Sequence, residues 1–132
     1  MIDKFETKVR KKIDFVNTFY FWSGQHKFDM IDFTLLPDKC LVTYKNEVPV
    51  YLVWVWETNS ATAIPTYFMS NPDVKDRKGG LDALIVGLCD YAKGRYFKML
   101  FVPTSSAIIA NKLLKSGFSE GDKGFGQYFK RL

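Results

Sequence analysis

The chain has 132 residues, 47% of them hydrophobic and 25% charged, with 19 Lys and Arg against 14 Asp and Glu. That length suits one domain over residues 1–132, and these ordinary fractions exclude a disordered chain and a coiled-coil rod. The formal charge of +5 favours anionic partners such as nucleotide cofactors or acidic surfaces, although a soluble surface alone accounts for a balance this modest.

Taken in chain order, Phe5, Val9, Ile13, Val16 and Tyr20 recur at spacings of three and four. That spacing predicts an amphipathic first helix from Asp3 to about Tyr20, with Lys8, Arg10, Lys11 and Lys12 on its solvated face. The stretch "WSGQHKFD" reads as a loop with Gly24, followed by a short apolar piece, helix or strand, from Met30 to Leu36 that Pro37 ends. The middle of the chain changes period. It is rich in β-branched and aromatic residues punctuated by "KNE" and "TNSAT", which predicts three antiparallel strands over about 39–45, 49–57 and 62–69. In the second, Leu52, Trp54 and Trp56 alternate with Tyr51, Val53 and Val55, so it should be central with helices on both sides. Pro65 cannot donate to a ladder, so a bulge or an edge contact is expected near it.

Beyond "SNPDV", Leu81, Leu84, Ile85, Leu88 and Ala92 form a second helical stripe that Gly94 ends. "FKMLFVP" reads as a short buried strand. Ser105 or Ser106 then caps a helix with Ile109, Leu113 and Leu114 inward, stopped by Gly117, and "GFGQYFKRL" reads as a closing strand. The fold class is mixed α/β (α+β). Cys40 and Cys89 lie far apart in apolar surroundings and match no metal-ligand spacing, so both are expected as reduced core residues and no metal site is indicated. "MIDKFETKVRKK" lacks the apolar core of a signal peptide, and no run approaches the roughly 20 apolar residues needed to span a bilayer, so a soluble cytoplasmic protein is expected.

The turn "RKGG" precedes the second helix, and unpaired N–H groups at a helix start attract phosphate. Paired glycines also occur wherever a helix must begin after a tight turn. Strand, glycine turn, amphipathic helix, strand and a further helix ending in "KSGF" together resemble, over residues 38–132, the C-terminal half of the GNAT superfamily of N-acetyltransferases. The resemblance implies a mostly antiparallel central sheet with helices on both faces, here with a shortened N-terminal part that lacks a first strand. It implies acetyl-CoA (coenzyme A) as cofactor, with Arg77, Lys78, Gly79, Gly80 and Leu81 at its pyrophosphate and the main chain of Phe68, Met69 and Ser70 along its pantetheine arm. Ser106 falls where many members carry an Asn, and Leu113 where they carry the Tyr that protonates the departing thiolate. Asn111 is out of register with either role.

The glycine turn departs from the family pattern. With Arg77 opening the family's Arg/Gln-x-x-Gly-x-Gly/Ala turn, Asp82 takes the place of the second small residue; a one-residue shift opens the motif on Asp76 instead. A carboxylate there would repel the pyrophosphate by roughly 1 kcal/mol or more at close range, which Lys75, Arg77 and Lys78 would offset. Acid–base candidates are His26, in a loop that borders the acceptor site in the resembled fold, with Tyr67 and Tyr128 on predicted strands. A surface histidine and strand packing are the plain alternatives, and Glu57 sits at the far end of the central hairpin. The expected function is acetyl transfer to a small-molecule or peptide amine. The alternative is a catalytically inactive GNAT-like binding or structural protein, of the kind that phages encode. The resemblance also allows a homodimer. Membrane binding is not expected, and nucleic-acid binding ranks last, because the one basic cluster is interrupted by apolar positions.

Overall fold

In a computed structural model that describes residues 2–122 with Tyr128 and Lys130, the chain forms a five-stranded sheet. The strands are β1 (Phe5–Lys11), β2 (Lys39–Lys45), β3 (Val48–Glu57), β4 (Thr62–Ser70) and β5 (Met99–Leu100), in that spatial order. Successive strands from β1 to β4 are antiparallel, and β5 joins β4 in parallel. Helix α1 (Lys12–Gln25) follows β1, α2 (Gly80–Gly94) links β4 to β5, and α3 (Ala107–Lys115) follows β5. No described helix is long and apolar enough to cross a membrane.

The three middle strands lie within a residue of their expected ranges. β2 and β3 meet at Asn46 and Glu47, both at positive φ (50° and 69°), the left-handed pair that a two-residue hairpin needs to match strand twist. Alternation on β3 then divides two cores. Leu52 and Trp54 join Phe15, Val16, Phe19 and Trp22 of α1, with Phe19 edge-on to Trp54 at 5.4 Å. Val53 and Val55 face Leu81, Leu84, Ile85 and Leu88 of α2 and Leu113 of α3. Each such side chain, removed from water, contributes about 1.5–3 kcal/mol. Trp56 departs from its row, because it reaches the strand's end, where it is partly exposed and edge-on to Tyr67. Cys40 is buried and Cys89 half-buried; both thiols are free.

The N-terminus corrects the expected first helix. Residues Phe5–Lys11 form an edge strand paired with β2, so a first strand is present, and the helix begins only at Lys12. A spacing of four is common to a period of 2 and a period near 3.6, so Phe5 and Val9 could not separate them. Phe5 and Thr7 are half-buried while Val9 is exposed, so pairing with β2, not a continuous buried row, carried the strand. The buried face of α1 is rotated to match: it is Phe15, Val16, Phe19, Trp22 and Ser23, while Ile13 is exposed.

Two further expectations fall out differently. β5 is two residues long and not buried, because β4 covers only one of its edges among the described residues. The piece from Met30 to Leu36 is a short 3-10 turn over Phe33–Leu35. The bulge expected near Pro65 is present. Pro65 pairs with Val55, the ladder then shifts register between Leu52 and Trp54, and Tyr67 takes φ 55°. Most of the "GFGQYFKRL" segment lies outside the described residues.

α2 sits unusually close to the sheet. A Cβ built at Gly87 would lie 2.6 Å from Thr7 Cγ2, and one at Gly80 2.9 Å from Val50 Cγ2 and Tyr51. Its far end is tied to β3, where the Tyr91 hydroxyl donates to Glu57 Oε1 at 3.1 Å and Arg95 and Lys39 flank the same carboxylate.

Gly87→Val should destabilise the fold by about 1–3 kcal/mol, read as a lower denaturant midpoint. Helix propensity alone would favour leaving glycine by a few tenths of a kcal/mol, so an unchanged or higher midpoint would show that the helix lifts freely. Burial first, then the charge and hydrogen bond of Glu57, push the Tyr91 phenol from 10.0 up to about 12. As pH rises through that interval, the unfolded chain gives up a proton that the native one keeps, so this part of the stability, intact below the lower value, is lost. Tyr91→Phe should therefore lose less stability than the unsubstituted chain between those pH values, measured by thermal melts.

Candidate functional site

The loop from Asn71 to Gly79 is built from inward hydrogen bonds. The Asn71 amide donates to the Val50 carbonyl and its Nδ2 to that of Pro49, both at 2.8 Å, which anchors the loop to β3. Arg77 curls back on it. Its Nη1 donates to the carbonyls of Asn71 (2.9 Å) and Val74 (2.6 Å), its guanidinium lies 5.9 Å from the Tyr51 ring centre, and its Nε is closed off with no acceptor among the described residues. Lys45 reaches in from β2, almost fully buried, with Nζ 3.3 Å from Asp76 Oδ1 and 3.6 Å from Asp3 Oδ2. Asp76 in turn accepts the Lys78 amide at 3.3 Å. That amide first, and Lys45 second, hold the Asp76 carboxyl below its usual range.

This scaffold sets the first turn of α2. Gly79 takes φ 84°, a left-handed conformation that glycine adopts without strain, and any Cβ there would strike the Phe5 ring at 2.8 Å. The Gly80 amide is already engaged, donating to the Arg77 carbonyl at 2.8 Å, and Ala83 donates to Gly79 at 3.0 Å. The amides of Gly79, Leu81 and Asp82 meet no acceptor among the described residues. They border an open depression of about 450 Å³ lined by Lys75, Arg77, Lys78 and Lys112 against the single carboxylate of Asp82, with Tyr51 and Ile108 as its apolar parts. Lys112, from α3, pairs with Asp82 at 3.0 Å. Unpaired amides, the positive end of the helix dipole and surplus cations are features that attract anions.

The second feature is an open strand edge. β4 and β5 pair only at Thr62 with Met99 and Ala63 with Leu100, so from Ile64 to Ser70 the outer edge of β4 has no strand beside it among the described residues. This edge runs towards the loop that leads to α2.

The residues singled out in the sequence are placed unequally. Gly79, Leu81, Arg77 and Lys78 line the depression. Gly80 does not, because it turns its open side to Val50 and Tyr51, and Arg77 is occupied in holding the loop. On β4, Phe68 packs with the α2 core, Met69 is buried in the α1 core, and the Ser70 carbonyl is 2.8 Å from His26 Nε2. His26, which also stacks on Phe28, is thus brought to the end of β4. Tyr67 packs against Trp56 at the bulge, and Tyr128 is exposed. Ser106 caps α3, its hydroxyl accepting from Ile109 N at 3.3 Å. Leu113 is a core residue, so no acid stands at that position. Lys112 and Tyr51 carried no motif, and only the packing of α3 and β3 brings them to the site. No group of His, Cys, Asp and Glu suited to a metal ion occurs among the described residues.

No protein-family model and no curated protein sequence matches the chain. Solved structures do. A ribosomal-protein-alanine N-acetyltransferase from Brucella melitensis biovar Abortus 2308 superposes with a TM-score of 0.68 at 18% identity, covering 98% of this chain and 99% of that one. The aminoglycoside acetyltransferase meta-AAC0020, from an uncultured soil metagenomic sample, gives 0.65 at 14% identity over 97% and 96%. The aminoglycoside N-acetyltransferase AAC(6')-Iy, in complex with a bisubstrate analog built on CoA, gives 0.67 at 12% identity over 98% and 99%. The likeness is one of architecture, and the chain has a divergent GNAT-like fold.

Gly80→Leu should act on folding before it acts on any ligand. The side chain meets Val50 and Tyr51, so a loss of about 1–3 kcal/mol in denaturant stability is expected. A normal melting curve for this variant would show that the glycine is not needed for packing.

Proposed function

We propose that the chain binds acetyl-CoA at the first turn of α2 and along the open edge of β4, and transfers the acetyl group to an amine. The observation that carries this is the set of unpaired amides at Gly79, Leu81 and Asp82 opening on a basic depression beside an unpaired strand edge. These residues fit a diphosphate: the amides supply directed donors, and Lys75 and Lys78 supply charge that water does not fully screen next to a helix terminus. The GNAT-like architecture supports the same assignment, since solved relatives of this shape are acetyltransferases.

Bound acetyl-CoA supplies the thioester. The chain's own contribution is to hold it: the α2 amides fix the diphosphate, and main-chain groups on the outer edge of β4 align the arm, with the bulge at Tyr67 marking where that edge turns. Holding both reactants in register converts a bimolecular encounter into a local one, the largest effect available where no strong acid is placed. Transfer would bond the amine nitrogen to the acetyl carbon and break the carbon–sulfur bond, releasing coenzyme A as a thiolate that takes a proton from solvent, while the amine proton passes to solvent. His26, hydrogen-bonded to Ser70 at the end of β4, and Tyr67, on β4 itself, carry groups able to relay it.

Leu113 favours a second reading, binding of the cofactor without turnover, because a buried leucine cannot protonate a thiolate.

Calorimetry with coenzyme A tests the assignment. Binding with Kd below about 1 mM is expected, weakened several-fold in Lys78→Ala with its melting temperature preserved, since Lys78 is exposed. Heat indistinguishable from dilution would reject it. Where binding occurs, thiol release from acetyl-CoA with a panel of amines separates transfer from binding alone.

A further inference from the structure

The cradle contains an anion of its own. Asp82 stands in the first turn of α2, where the dipole favours negative charge, and its carboxylate lines the same depression as the free amides. An incoming phosphate competes with it for the same field. Lys112 answers it from α3, one turn beyond Ile108, its Nζ donating to Asp82 Oδ2 at 3.0 Å, and all three residues line the depression. An ammonium has three donors, so one can stay on the carboxylate while another meets a ligand.

We propose that Lys112 is the counter-ion that makes the cradle usable: it neutralises Asp82 in the empty site and shares its donors with a bound diphosphate, so that this pair sets how tightly phosphorylated cofactor is held. The inference deepens the proposed function and rests on it. Exposure supports the assignment. The Asp82 side chain is 52% exposed and that of Lys112 36%, so the pair does little for folding and its removal is read in binding. Lys75 and Lys78 do not take this role, since the carboxylate paired near them is that of Asp76, which Lys45 already neutralises.

The test is calorimetry on the full chain with coenzyme A and, separately, inorganic pyrophosphate, for Asp82→Asn, Lys112→Met and the double variant. Asp82→Asn should bind coenzyme A about fivefold tighter and Lys112→Met about tenfold weaker. In the Asp82→Asn background the lysine substitution should cost only about threefold, because the charge it neutralised is gone. Effects that simply add, or an Asp82→Asn variant no tighter than the unsubstituted chain, would overturn the counter-ion role. Should the unsubstituted chain take up no coenzyme A, the cofactor reading fails, and pyrophosphate still decides the inference: binding gained in Asp82→Asn upholds it, and none in any variant overturns it. Melting temperatures within about 3 °C of one another show that each variant is folded.

Discussion

The close seating of α2 on the sheet is the contact on which the rest depends. Side chains at Gly79, Gly80 or Gly87 would each collide with a neighbour from β1 or β3, namely Phe5, Tyr51 with Val50, or Thr7. A helix separated from a sheet by ordinary side chains would stand further off, and its first turn would no longer align with the loop that leaves β4. The glycines are therefore packing residues first. Their effect on ligand chemistry is indirect: they bring the helix terminus, with its free amides, to the end of the open strand edge.

Around that contact the chain places its charges in two tiers. Lys45 is buried beneath the loop and neutralises Asp76, and the carboxylate then orders the Lys78 amide. A buried cation without such a partner would cost several kcal/mol, so the loop and the cation hold each other. Lys75, Lys78 and Lys112 lie in the outer tier, lining the depression. Charges of this kind add little to folding and retain their attraction for an anion.

Acid–base chemistry is sparse beside this. Leu113 is committed to the α2 core, Glu57 to Tyr91, Arg95 and Lys39, and His26 to Ser70. Were the proposed transfer to take place here, alignment would dominate and the proton would leave through solvent.

Much of the architecture could be read from local pattern. A β-branched and aromatic stretch punctuated by turn residues marked β2, β3 and β4, the stripe from Leu81 to Ala92 marked α2, and Ser105 or Ser106 announced α3 as a cap, a place that Ser106 takes. Each of these is a relation between near neighbours in the chain. The first strand escaped because Phe5 and Val9 are four apart, a spacing that strand and helix share, and its choice was made by pairing with β2, far along the chain, as in Phe5 with Lys45. The glycine turn was visible as a helix start, but which amides stay free was not. Gly80 loses its own to Arg77, and the collisions that require glycine come from Phe5 and Tyr51, distant in sequence. Asp82 read as an obstacle until α3 brought Lys112 to it. Side-chain periodicity thus determined the elements, because it acts along the chain. Tertiary structure alone decided which donors and charges remain unpaired at the site, because pairing depends on what the fold brings within about 3–4 Å.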